Sequence, residues 1–125
     1  MSGITFDAGG LIALDRDDRR VIALLARARE RRMRISIPAT ALAQAMRNPA
    51  RQARLSRLIR QSSTDLIALD GRDATAVGLL LARTATADIV DAHVVVCARR
   101  VDQAVVTSDA GDLKRIAPDL RLVTV

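Results

Sequence analysis

The segment AVVTSDAGDLKRI, residues 104–116, ends an apolar run at Thr107 and Ser108 and then sets Asp109 and Asp112 three residues apart. Asp7 closes another apolar run just before Gly9 and Gly10, and Asp88 and Asp91 open the segment DIVDAHVVVCARR. Carboxylates brought together in this way make an oxygen cluster of the kind that Mg²⁺ and Mn²⁺ require, with water and a substrate phosphate completing the shell. Each acid also has a simpler use. Asp88, Asp109 and Asp112 lie near expected helix N-termini, where Asp caps free amides and meets the positive end of the helix dipole. Asp7 has no equally obvious cap to make, and Asp91 borders the apolar run AHVVVCA. Convergence on one place would separate the two uses.

The elements that would have to bring them together alternate along the chain. A strand is expected over residues 3–7, followed by a Gly-Gly turn, a short helix and a longer helix from about Asp17 to Arg31. MRISIP reads as a strand running into a helix that continues through Arg47, and Asn48-Pro49 separates it from a helix in ARQARLSRLIRQ. DLIALD reads as a strand, with Asp70 capping the helix GRDATAVGLLLART, and the next helix is expected from Ala87 to Arg100 with Thr86 as its cap. QAVVTS, DAGDLKRIA and DLRLVTV follow as strand, helix and strand. Regular alternation implies a single α/β domain over residues 1–125, with a mainly parallel sheet of four to five strands between layers of helices. In such sheets ligands collect beyond the carboxyl ends of the strands, where strand order reverses. Asp7 and Asp109 stand at two such ends.

Composition narrows the partners. The chain holds one Phe and no Tyr or Trp, which argues against binding single strands by base stacking. Net charge is +6, and 19 of the 20 basic residues are Arg, suited to bidentate contact with phosphate. Arg47, Arg51, Arg54, Arg57 and Arg60 recur every three or four residues and would form a basic stripe, either a solvated helix face or a phosphate track. Cys97 is the single cysteine, which excludes an internal disulfide and a cysteine-based zinc site, and it reads as a small core residue. His93, two residues from Asp91, faces elsewhere on a helix and is expected to be structural. No leader sequence or membrane-length apolar run is evident, so a soluble cytoplasmic protein is expected.

ITFDAGGLIAL, IPATALAQAMR, TADIVDAHVVVCARR and VVTSDAGDLKRI, in this order and spacing, resemble the four motif blocks of PIN-domain ribonucleases, in particular the VapC-type toxin of type II toxin–antitoxin pairs. The resemblance spans essentially the whole chain. It implies a three-layer α/β/α fold, a homodimer, an antitoxin whose C-terminal segment covers the site, and Mg²⁺- or Mn²⁺-dependent hydrolysis of RNA by a metal-activated water. Carried over by position, Asp7, Asp91 and Asp109 would be catalytic metal ligands, with Asp112 as an additional acid. Asp88, Thr107 and Ser108 would support them, and Arg47, Arg51 and Arg54 would contact RNA. The chain departs from the pattern at Gln44, where the family has Glu. A carbonyl oxygen remains there, but a negative charge is lost, so weaker metal binding is expected. Two other readings stay open: a catalytically weak or inactive PIN-fold domain that binds RNA or protein, and a receiver-like phospho-acceptor domain. The latter fits less well, because Asp7 has no acidic neighbour and Lys114 lies within a helix.

Overall fold

The computed structural model describes residues 3–125. Its elements are β1 (Gly3–Phe6), α1 (Ala8–Asp15), α2 (Arg19–Glu30), β2 (Arg34–Pro38), α3 (Ala39–Ala45), α4 (Ala53–Ile59), β3 (Thr64–Ile67), α5 (Gly71–Thr84), α6 (Ile89–Val101), β4 (Ala104–Thr107), α7 (Ala110–Ile116) and β5 (Leu122–Thr124). The five strands form one sheet in the order β3-β2-β1-β4-β5, and every neighbouring pair is parallel. The chain builds outward from β1 to β3, returns through α5 and α6, and then lays β4 and β5 on the other side. Strand order therefore reverses between β1 and β4, and Asp7 and Asp109 follow these two strands.

The strand residues explain their central position. GITF and AVVT are buried along their whole length, so both faces of the inner strands are covered. Such strands read as continuous apolar runs without alternation. Phe6, Ile37, Val105 and Val106 are fully enclosed. α6 lies across β1 and β2 and packs against α3, α5 and α7. Its Ala92, Val94, Val95 and Ala98 let it approach closely, and none is measurably exposed.

Three local expectations are corrected by particular side chains. Gly9 and Gly10 form no turn, but lie in the first turn of α1 with ordinary helical backbone. Glycine is needed at position 10 because a Cβ there would stand 2.5 Å from the Val106 carbonyl oxygen. α3 ends at Ala45, short of Arg47. The reason is Gln52, whose Oε1 accepts from the Arg47 and Asn48 amides at 2.7 and 2.8 Å while Nε2 donates to the Ala45 carbonyl at 3.0 Å. α6 is capped by Asp88, whose Oδ1 accepts from the Asp91 amide at 2.9 Å. Thr86 instead shares a 2.9 Å hydrogen bond with Thr84. Among the described residues, no helix is long and apolar enough to cross a membrane.

Candidate metal centre

Asp7 leaves β1 with an extended backbone and caps α1, its Oδ1 accepting from the Gly10 amide at 2.7 Å. The expectation that Asp7 has no helix to cap is thus corrected. Its own amide donates to the Val106 carbonyl at 3.1 Å, which ties it to the end of β4. Asp109 caps α7 in the same way, with Oδ1 accepting from the Gly111 amide at 3.1 Å. Thr107 links the two. Its hydroxyl hydrogen-bonds the Asp7 carboxylate, and its Oγ1 accepts from the Asp109 amide at 3.0 Å. Thr107 is fully buried, so this bridge is shielded from water. Ser108 faces α1, where it would collide with any side chain at Gly9.

Asp88 and Asp91 enter from α6, and Asp112 from the first turn of α7. The charges of the other acids act on Asp91. The Asp91 carboxyl is pushed up to about 6, first by burial and then by the charges of Asp88, Asp7, Asp112 and Asp109. Asp7 is also raised, chiefly by burial, with the Asp109 charge adding and the hydrogen bonds from Thr107 and Gly10 opposing. Asp7, Asp88, Asp109 and Asp112 thus lie within electrostatic reach of Asp91, beyond the ends of β1 and β4, but among the described residues no three of these acids bring carboxylate oxygens within 4.8 Å of one another. In each of the three caps only Oδ1 is engaged by the capping amide. A carboxylate has two oxygens and about four lone-pair sites, so capping and metal binding are compatible in one residue.

Gln44 is exposed on α3, one turn after Thr40. Thr40 Oγ1 and His93 Nδ1 of α6 are 2.6 Å apart, so the helix face that carries Gln44 is the face turned toward α6. The arginine stripe does not lie on one helix: only Arg54 and Arg57 fall within α4. Arg47 donates to the Ala43 and Met46 carbonyls at 2.8 Å, and Arg54 pairs with Asp17 at 2.7 Å. Arg51 is exposed in the loop before α4. Arg54 and Arg57 instead rim a cleft of about 300 Å³ with an apolar floor that includes Leu14, Leu25, Met33 and Leu58.

A second polar cluster, which includes Asp73, was not singled out from the sequence. Asp73, His93 and Cys97 are all buried between α5 and α6, and Arg100 grips the Asp73 carboxylate. The guanidinium holds that carboxyl below the usual range, while burial pushes the Cys97 thiol up to about 12 and lowers the His93 imidazole. A signal for Asp73 was present. It stands at i−4 and i−7 from Val77 and Leu80, which places an acid on the apolar face of α5.

No protein-family model matches the chain, and no curated protein does. Solved structures do match in fold. One is VapBC2 from Rickettsia felis bound to a DNA fragment from its promoter, with TM-score 0.68, 17% identity and 98% of each chain covered. A DNA-bound VapBC from Salmonella typhimurium gives TM-score 0.70 at 18% identity, over 99% of this chain and 98% of that one. FitAcB from Neisseria gonorrhoeae gives 0.63 at 17% identity, over 97% and 96%. At this identity the likeness shows the fold alone. The expected assignment to the VapC-type PIN ribonucleases is overturned by these findings: no family model supports it, and the matched structures are reported as VapBC and FitAcB assemblies. The physical reason is that Asp7, Asp88 and Asp109 are all helix caps. Acids at these intervals therefore follow from a capped parallel α/β fold and do not by themselves specify a family.

Proposed function

We propose that this chain is a metal-dependent endoribonuclease acting in a toxin–antitoxin context, with its reaction centre at Asp7, Asp91, Asp109 and Asp112. The observation that carries this reading is the placement of Asp7 and Asp109 just after β1 and β4, where strand order reverses, within electrostatic reach of Asp91, whose carboxyl is raised to about 6 first by burial and then by the charges of Asp88, Asp7, Asp112 and Asp109. Such a cluster is relieved by a hard divalent cation, and the residues present fit Mg²⁺ or Mn²⁺, which take carboxylate oxygens. The bound ion would lower the pKa of a water and neutralise charge developing on a phosphodiester. Asp7, Asp91, Asp109 and Asp112 would hold the ion directly or through water. Thr107 would fix Asp7 against the start of α7, and Asp88 would add charge beside Asp91. Gln44 would offer a carbonyl oxygen toward the ion in place of a carboxylate, and Arg47, Arg51 and Arg54 would contact RNA.

The same reading takes the sheet and its helices as three-layer and PIN-like in arrangement, which is a statement of architecture and not of family. It also includes a protein partner and a homodimer, and a compartment where RNA is reached. The partner is supported by the VapBC and FitAcB assemblies with which the fold is shared. Gln44 favours a second reading, a catalytically weak chain that binds nucleic acid or protein. Incubating the purified chain with mixed RNA and with DNA, in Mg²⁺, Mn²⁺ or EDTA, separates the two. Metal-dependent RNA fragments support the nuclease; retention of nucleic acid without fragments supports the binder.

A further inference from the structure

Asp73, His93 and Cys97 present a carboxylate oxygen, a ring nitrogen and a thiol sulfur, all within 4.8 Å of one another. The residues are 2%, 0% and 1% exposed. The hydrogen bond between His93 Nδ1 and Thr40 Oγ1 orients the ring and leaves Nε2 directed at the cluster. The Asp73 carboxylate and the Ala68 carbonyl lie near that ring, yet Nε2 completes no hydrogen bond and stands 3.7 Å from Asp73 Oδ2. A buried ring nitrogen left without a partner is unfavourable, and this points to a ligand.

We propose that Asp73, His93 and Cys97 form a second metal site, for a thiophilic divalent ion of the Zn²⁺ or Co²⁺ class. The donors decide the class: sulfur and imidazole suit Zn²⁺ and Co²⁺, whereas Mg²⁺ and Mn²⁺ prefer the all-oxygen cluster around Asp7. Three protein ligands leave a fourth position for water. The Thr40 hydroxyl plays the part of an outer hydrogen bond that fixes the metal-binding tautomer of a histidine. In the metal-free chain Arg100 supplies the positive charge beside Asp73, and its side chain is 42% exposed, so it can withdraw to solvent. On binding, the metal–sulfur bond forms as the Cys97 S–H bond breaks, and the proton leaves to buffer. The thiolate and the Asp73 carboxylate then balance the two charges of the ion. This proposal stands independently of the nuclease reading, since it shares no residue with that centre.

The test is a Co²⁺ titration of the full chain after chelator treatment, followed by optical absorption. Cys97 is the only cysteine, so a sulfur-to-cobalt charge-transfer band reports on this site alone. The band should saturate at one equivalent, persist in excess Mg²⁺ and in Asp7→Asn, and be lost in Cys97→Ala. Arg100→Gln, which removes the competing cation, should bind Co²⁺ more tightly. Absence of the band from the wild-type chain at saturating Co²⁺ overturns the proposal whether or not the variants fold. So does a band that survives in Cys97→Ala.

Discussion

Asp91 is the residue in which burial and repulsion are most evident, and its titration has consequences that can be measured. Between the ordinary carboxylate value of 3.8 and about 6, the folded chain keeps a proton on Asp91 that the unfolded chain has lost. Stability of the metal-free protein therefore falls as pH rises through that window. Solvent screens part of the effect at this half-buried position, leaving on the order of 1 kcal/mol. Asp91→Asn should flatten the slope and stabilise the metal-free chain above pH ~6 by about that amount, as read by urea unfolding; an unchanged slope would show that other groups carry it. Gln44 offers the converse experiment. Restoring a charge with Gln44→Glu should tighten Mn²⁺ binding in a direct titration, and unchanged or weaker binding would remove Gln44 from the account. Asp7 and Asp109 were visible in the sequence because acids that close apolar strands stand out. Asp73 was marked only by its place on the apolar face of α5, and its partner Arg100 is 27 positions away on another helix, beyond the reach of local spacing.

At the scale of elements, the site depends on how closely α1 approaches β4. Gly10 permits that approach, and Gly78, in the middle of α5 with open space around it, supplies a control. Gly10→Ala gains about 1 kcal/mol of helix propensity but forces overpacking against the Val106 carbonyl, which costs about 1–3 kcal/mol. Thermal unfolding should show Gly10→Ala destabilised and Gly78→Ala stabilised by up to about 1 kcal/mol. If both substitutions stabilise, α1 is not held against β4 by that contact. Helix and strand order were legible because apolar periodicity survives without aromatics. Element ends were less so. The Gln52 side chain ends α3 and Asp88 rather than Thr86 starts α6, and side-chain caps reached across a loop leave little trace in local composition.

The whole molecule places a basic chain around an acidic centre. Net charge is +6, yet Asp7, Asp88, Asp109 and Asp112 all act on Asp91 beyond the ends of β1 and β4, so under the proposed function a polyanion drawn by the basic surface would meet repulsion there that a cation would remove. The parallel sheet followed from the alternation of elements, and with it a shared edge for Asp7 and Asp109; the neighbouring of β1 and β4 did not, because alternation leaves strand order open. The arginine stripe failed at this scale: it placed Arg47 and Arg51 on helices either side of Asn48-Pro49, whereas the chain spends all of residues 46–52 on a loop and turns Arg54 toward Asp17. The most direct measurement is cleavage of a mixed RNA pool by the wild-type chain and Asp7→Asn, side by side, in Mg²⁺, Mn²⁺ and EDTA. The account predicts fragments from the wild type that require metal, and a loss on the order of 100-fold or more in Asp7→Asn. Equal cleavage by both proteins, or silence of the wild type with either metal, would contradict it.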